Sequence, residues 1–240
     1  MNDLTIRLLA GMACALLALS KAVVADTSTT TPAKVYAIAT VSVDSTQIDQ
    51  YPKHLRAERA INAGHGVELV ASYRIQFGED CDSEINIWSA PDAESLRRGL
   101  SANERYAPEL RQMIRSEVVE IATLNPLDFV KSRSVGNASA PNQTAFGLVL
   151  VTIDSAKHGK FVEAMRAETS LEAKHGVNLV ASYHIELGDT AGELDVWSAA
   201  DSETIRQSFF YGPEAPGFAE VIKKEAVEIA GLNMVDPAVK

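Results

Sequence analysis

His184 stands where chemistry could be done. It lies in "NLVASYHIEL", and a short turn leads from there to "GELDVW", which carries Glu193 and Asp195. Alternation along two hairpin strands puts these three residues on one side of a sheet. An imidazole beside carboxylates suits a general base or a metal ligand. An earlier stretch repeats the pattern with other residues: "ELVASYRIQF" places Arg74 opposite Glu84 and Asn86 in "EINIW". An Arg–Glu cross-strand pair is a structural device, so His184 reads either as a functional group or as a variant of that pair. Each of the second strands ends in tryptophan, Trp88 and Trp197, a residue that lines pockets or closes a core.

Other reactive residue types have plainer explanations. His65 and His175 each precede glycine at the end of a helical pattern. There an imidazole meets the negative end of the helix dipole and the glycine supplies a left-handed cap. Cys81 falls in the loop "GEDCDS", which the second copy replaces with "DTAG", so a catalytic role is not expected of it. No glycine-rich phosphate loop, H-E-x-x-H or G-x-S-x-G occurs. The sequence assigns no metal site and requires no cofactor.

The elements that position these residues come from an internal repeat. "HGVELVASYRIQFG" and "HGVNLVASYHIELG" match, as do "WSAPDAE" and "WSAADSE", and "EVVEIATLNPLD" and "EAVEIAGLNMVD". Within a copy, "VYAIATVSV" reads as a strand. A helical pattern follows, interrupted by Pro52 in the first copy only. Then come a hairpin of two strands, a helix opened by a Ser89–Asp92 or Ser198–Asp201 capping box, and a closing strand. The order βαββαβ is the ferredoxin-like split βαβ unit. Such a unit covers one sheet face with helices and leaves the other bare. Two units in one chain bury both bare faces by pressing them together, so the expected fold class is α+β: tandem ferredoxin-like units forming a barrel within one molecule, a monomeric pseudo-dimer.

The domain organisation follows. Arg7, the apolar run "LLAGMACALLAL" and small residues ending at Ala25 have the form of a secretory signal peptide over 1–25, implying export to a periplasm or the exterior. A tail covers 26–34, the first unit 35–130, a polar linker 131–144 and the second unit 145–240. The linker "KSRSVGNASAPNQT" holds glycosylation sequons at Asn137 and Asn142, relevant only in a eukaryotic host. Beyond the leader no stretch approaches a membrane-spanning length. The net charge of −10 becomes one unit more negative without the leader, which argues against a nucleic-acid partner. Cleavage also removes Cys14 and leaves Cys81 as the remaining cysteine, excluding an internal disulfide.

A glycine after the first helix ("HGV"), the long strand "LVASY", and a hairpin strand ending in tryptophan before an acidic helix start ("EINIWSAPD", "ELDVWSAAD") together resemble the NIPSNAP family of the dimeric α+β barrel superfamily. The resemblance covers both copies. It implies a fold more than a reaction, because that superfamily includes haem-degrading and quinol monooxygenases, chlorite dismutase-like haem enzymes and proteins without known chemistry. The NIPSNAP branch implies a small-molecule or protein partner and carries no catalytic set. The wider superfamily leaves a monooxygenase-type or haem-associated oxidoreductase as the alternative.

Divergence between otherwise similar copies suggests where a ligand would sit. The sheet faces opposite the alternating apolar ones mix Ser, Arg, Glu and Trp, which suits neither open solvent nor a dry core. The expectation is therefore a semi-polar pocket between the sheets, lined by Arg74, Glu84, Trp88, His184, Asp195 and Trp197.

Overall fold

The computed structural model describes residues 34–78, 83–106, 112–130, 145–187 and 190–232, without the side chains of 103–106, 186–187, 190–191 and 232. The leader, Cys81 and the linker with its sequons lie outside the described residues. The first unit comprises β1 (Val35–Val43), α1 (Tyr51–Ala63), β2 (Glu68–Phe77), β3 (Ser83–Ala90), α2 (Ala93–Tyr106) and β4 (Ile114–Leu124). The second comprises β5 (Ala145–Asp154), α3 (His158–Glu172), β6 (Asn178–Leu187), β7 (Thr190–Ala199), α4 (Ser202–Tyr211), the single turn α5 (Phe218–Val221) and β8 (Ile222–Leu232).

Local chemistry sets the helix boundaries. Pro52 does not interrupt a helix as the sequence suggested. It occupies the first turn of α1, where its missing N–H would have no helical partner and its fixed φ suits helix entry. The cap before the second helix also differs from the expected Ser-x-x-Asp box. Asp92 and Asp201 are themselves the caps, accepting from Ser95 N and Thr204 N at 2.7 Å each, while Ser89 and Ser198 are still strand residues. The glycines after the histidines behave as read: Gly66 and Gly176 sit at φ 75° and 81°, a conformation that costs a residue with Cβ. His65 and His175 thus belong to helix ends.

All strand pairs are antiparallel and close an eight-stranded barrel in the order β1-β3-β2-β8-β5-β7-β6-β4. Each unit contributes a four-stranded sheet, and two seams join them. Tyr73–Phe77 of β2 pairs with β8, and Ala122–Leu124 of β4 pairs with β6. Among the described residues no helix is long and apolar enough to cross a membrane.

The interior of the barrel overturns the expected placement of the mixed face. Ile38, Tyr73, Ile75, Ile85, Ile87, Phe146, Leu148, Tyr183, Ile185, Leu194 and Val196 fill it, all buried. Tyr73 packs on Phe146 and Tyr36 on Tyr183, each with ring centroids 5.2 Å apart. The mixed face lies outside, beneath the helices. Trp88 packs there with Tyr51, Leu55 and Leu96, and Trp197 with Phe161, Ile205 and Phe218. The physical reason is that two sheets pressed together leave a charge between them neither solvent nor helix ends to meet.

A bulge explains why strand alternation did not reveal this. The register of β2 against β3 shifts between Leu69 and Ala71, and that of β6 against β7 between Leu179 and Ala181. Val67 and Leu69 therefore pack under the helices, whereas Val70, Ala71, Tyr73 and Ile75 pack into the barrel. One extra residue reverses the strand's two faces from that point on.

Candidate functional site

The two units treat an equivalent buried glutamate differently. In the first, Glu84 has a side chain with no exposed surface, and Arg74 Nε donates to its Oε1 at 3.1 Å. The guanidinium also donates to Asp49 Oδ1 (3.0 Å) and to the Ile48 carbonyl (2.6 Å). These carboxylates hold the Arg74 pKa above its ordinary value despite burial. The charge is balanced by a group that never gives up its proton.

In the second unit Glu193 is equally enclosed, with histidine where the arginine was. His184 Nδ1 lies 2.7 Å from Glu193 Oε1, and His158 Nε2 lies 3.4 Å from the same oxygen. His158 is the first residue of α3, at the place of Ile48 in the other copy. Its Nε2 is buried without a hydrogen bond, and its ring meets that of His184 edge-on at 4.6 Å. Asn125, just beyond β4 of the first unit, donates to Glu193 Oε2 and to Ser182 Oγ, both at 2.8 Å. Burial pushes Glu193 up to about 8, against the lowering effect of Asn125. Burial and the neighbouring His184 push His158 down.

Beside this cluster, β5, β7, β8, α3, α4 and the segment after α4 line a narrow cleft with an internal cavity of about 30 Å³, room for a water or an ammonium-sized group. Asp195, Trp197, Glu168, Ser208, Phe209 and Glu225 are among its lining residues. Asp195 is wholly buried, and neither of its oxygens has a well-formed hydrogen bond; the Trp197 Nε1–H is likewise buried and unpartnered. Burial raises Asp195 well above the carboxylate range; the Ser182 hydroxyl offsets part of that, while Glu193 and Glu225 add to it. Glu168 Oε2 accepts from Ala215 N at 2.7 Å. Burial, with Glu172, Glu214 and Glu225 nearby, still brings Glu168 up to about 7. Ser208 donates to Glu172. In the first unit Asn86 Nδ2 donates to the Tyr51 hydroxyl at 2.6 Å, where the second unit has Asp195 and Phe161.

The six residues expected to share one pocket are thus divided. Arg74, Glu84 and Trp88 lie under the first unit's helices, and His184, Asp195 and Trp197 under the second's. Asp195 and Trp197 do line one cleft, and His184 meets Glu193. Sequence reasoning missed His158, Asn125 and Glu168. The detectable signal for the first was that Ile48 and Arg74 are both replaced by histidine in the second copy.

The cleft does not fit haem. Its internal cavity is far smaller than a porphyrin, and its lining offers no His, Cys, Met or Tyr to bind the iron.

No family model and no curated protein matches the chain. Solved structures do. A candidate monooxygenase from Lactobacillus acidophilus NCFM is similar with TM-score 0.54 and 12% identity, over 84% of this chain and 94% of that one. An anthrone oxidase-like protein gives 0.55 and 11%, over 83% and 91%. A mutant chlorite dismutase from Candidatus Nitrospira defluvii gives 0.56 and 11%, over 84% and 93%. At such identities the likeness is one of fold, and the fold is that of the dimeric α+β barrel proteins, with both halves supplied by one chain.

Proposed function

We propose that the chain binds a small organic molecule whose protonated nitrogen enters the second unit's narrow cleft while its body rests at the mouth, and that this molecule is the substrate of a monooxygenase-type oxidation. The observation that carries the reading is Asp195, a buried carboxylate without a well-formed partner in a cleft whose other ionisable lining groups are also acidic. Burial keeps the proton on Asp195, and an ammonium group is the partner whose charge would favour its ionised form, while the rings of Trp197, Phe209 and Phe218 supply π-faces and apolar walls for a cation's organic body. Glu168 is placed to exchange a proton with the bound molecule near neutral pH. The oxidative part of the reading is supported by likeness of fold to proteins described as monooxygenase and anthrone oxidase-like. In that reaction class an activated CH2 takes one oxygen of O2 and becomes C=O, and its two hydrogens leave with the other oxygen as water.

The same proposal includes two readings from sequence: a NIPSNAP-like relationship, resting on the Gly and Trp-x-x-x-Asp motifs, and export, resting on the leader-like segment over 1–25. The test of function uses Trp88→Phe protein, in which Trp197 is the remaining tryptophan. Tyramine and 2-phenylethylamine should change its emission saturably, phenylacetate should not, and Asp195→Asn should weaken the amine response at least tenfold. Oxygen uptake with bound amines or aminophenols supports the oxidase reading. Binding without uptake favours a binding protein of NIPSNAP type, and no response to amines overturns the proposal.

A further inference from the structure

We propose that His158, His184 and Glu193 form a binding site for a first-row divalent transition ion, with Zn2+ as the reference metal. The three candidate ligand atoms all lie within 4.8 Å of one another. Ligand atoms held about 2.1 Å from a tetrahedral zinc are on the order of 3.4 Å apart. The His158 Nε2 to Glu193 Oε1 distance is already 3.4 Å. His184 Nδ1, at 2.7 Å from that oxygen, needs to withdraw by roughly 0.7 Å to make the same spacing. Imidazole nitrogens with one carboxylate are ligands of Zn2+, Fe2+ and Ni2+, and a set of two His and one carboxylate leaves coordination positions for water or substrate.

Two independent features favour a cation at this point. The first is the other copy. There the same enclosed glutamate is neutralised by a guanidinium, and the end of that guanidinium reaches the carbonyl of Ile48, the residue whose place His158 takes. The second unit lacks that built-in cation and has two imidazoles at the equivalent positions. Among the described residues the partners of Glu193 are His158, His184 and Asn125, none permanently charged. The second feature is support from outside the ligand set. Asn125 holds Glu193 Oε2 and is itself anchored on Ser182, which leaves Oε1 directed at both imidazoles, as outer-shell partners orient metal ligands. The His158 and His184 side chains are 35% and 20% exposed, so an ion has a way in.

The experiment titrates the full metal-free chain with Zn2+ by calorimetry and with Co2+ by visible absorption. One equivalent should bind in the micromolar range or tighter, with the Co2+ d–d bands of a nitrogen–oxygen site. His158→Ala and Glu193→Gln should each weaken binding at least tenfold. His184→Arg copies the first unit's Arg–Glu pair, so it should abolish binding while keeping the thermal midpoint near or above that of the metal-free wild type. That variant keeps the test decisive where an alanine variant misfolds. The proposal is overturned by absence of stoichiometric binding, or by binding that survives His184→Arg with the fold intact, which would place the ion on other surface groups.

Discussion

Glu168 gives the most informative perturbation of the second unit's acidic cleft. It is 5% exposed, hydrogen-bonded to Ala215 N, and raised to about 7 by burial and by neighbouring carboxylates. An unfolded chain ionises the same group near 4.5. Below that pH both states hold the proton and the group costs no stability. As pH rises towards 7 the unfolded chain has lost the proton while the folded one retains it, so stability falls by at most about 1.4 kcal/mol per pH unit. Above 7 the whole cost is present, at most about 3.4 kcal/mol. Glu168→Gln keeps a carbonyl for Ala215 N and never ionises. Urea unfolding of both proteins between pH 4.5 and 8.5, at fixed salt, should give equal stabilities at the acid end. The variant should then gain by about 2–3 kcal/mol at the alkaline end, with unchanged m-values. The general repulsion of an acidic chain affects both proteins and largely cancels in the difference. A difference independent of pH, or one that shrinks as pH rises, would refute the view that Glu168 is a strained, proton-holding carboxylate.

Removing the guanidinium in Arg74→Met leaves Glu84 enclosed without its cation, so chemical denaturation should show a loss of about 3 kcal/mol, most of it recovered by adding Glu84→Gln. Phe161→Tyr with Asp195→Asn rebuilds in the second unit the Asn86–Tyr51 pair of the first; a double-mutant cycle should return a favourable coupling of about 1 kcal/mol, and a coupling of zero would mean that the copies are not superimposable there. Each unit expressed alone exposes Tyr73, Ile85 and Ile87 or their counterparts Tyr183, Leu194 and Val196, so light scattering should show a homodimer or aggregate. A well-folded monomeric half would contradict the closed barrel.

The repeat, the βαββαβ order and the closure of two units into one barrel are legible in the sequence because each rests on residue identity recurring at long range. Which way the strands face is not. The decisive event is one extra residue at Val70 and at Val180, and "LVAS" carries no glycine or proline to mark a bulge. Arg74–Glu84 and His184–Glu193 are legible as cross-strand pairs because hairpin register brings them together. His158 reaches the same glutamate from a helix start, and Asn125 reaches it across the seam from the other unit. No local period connects these positions, so only the folded backbone reveals that they meet.

The reach of Asn125 across the β4–β6 seam has a consequence for how such a molecule changes over time. An assembly of two identical chains must accept every substitution twice, once in each symmetry-related place. Here the strand that ends in Asn125 serves a neighbour encoded elsewhere in the same gene, so the donor side and the acceptor side are inherited as separate positions. One half is free to keep its arginine strut as ballast for the fold while the other exchanges its strut for histidines. Duplication within a single chain thereby lets two halves of one barrel diverge independently, joined by three residue pairs at this seam and four at the other.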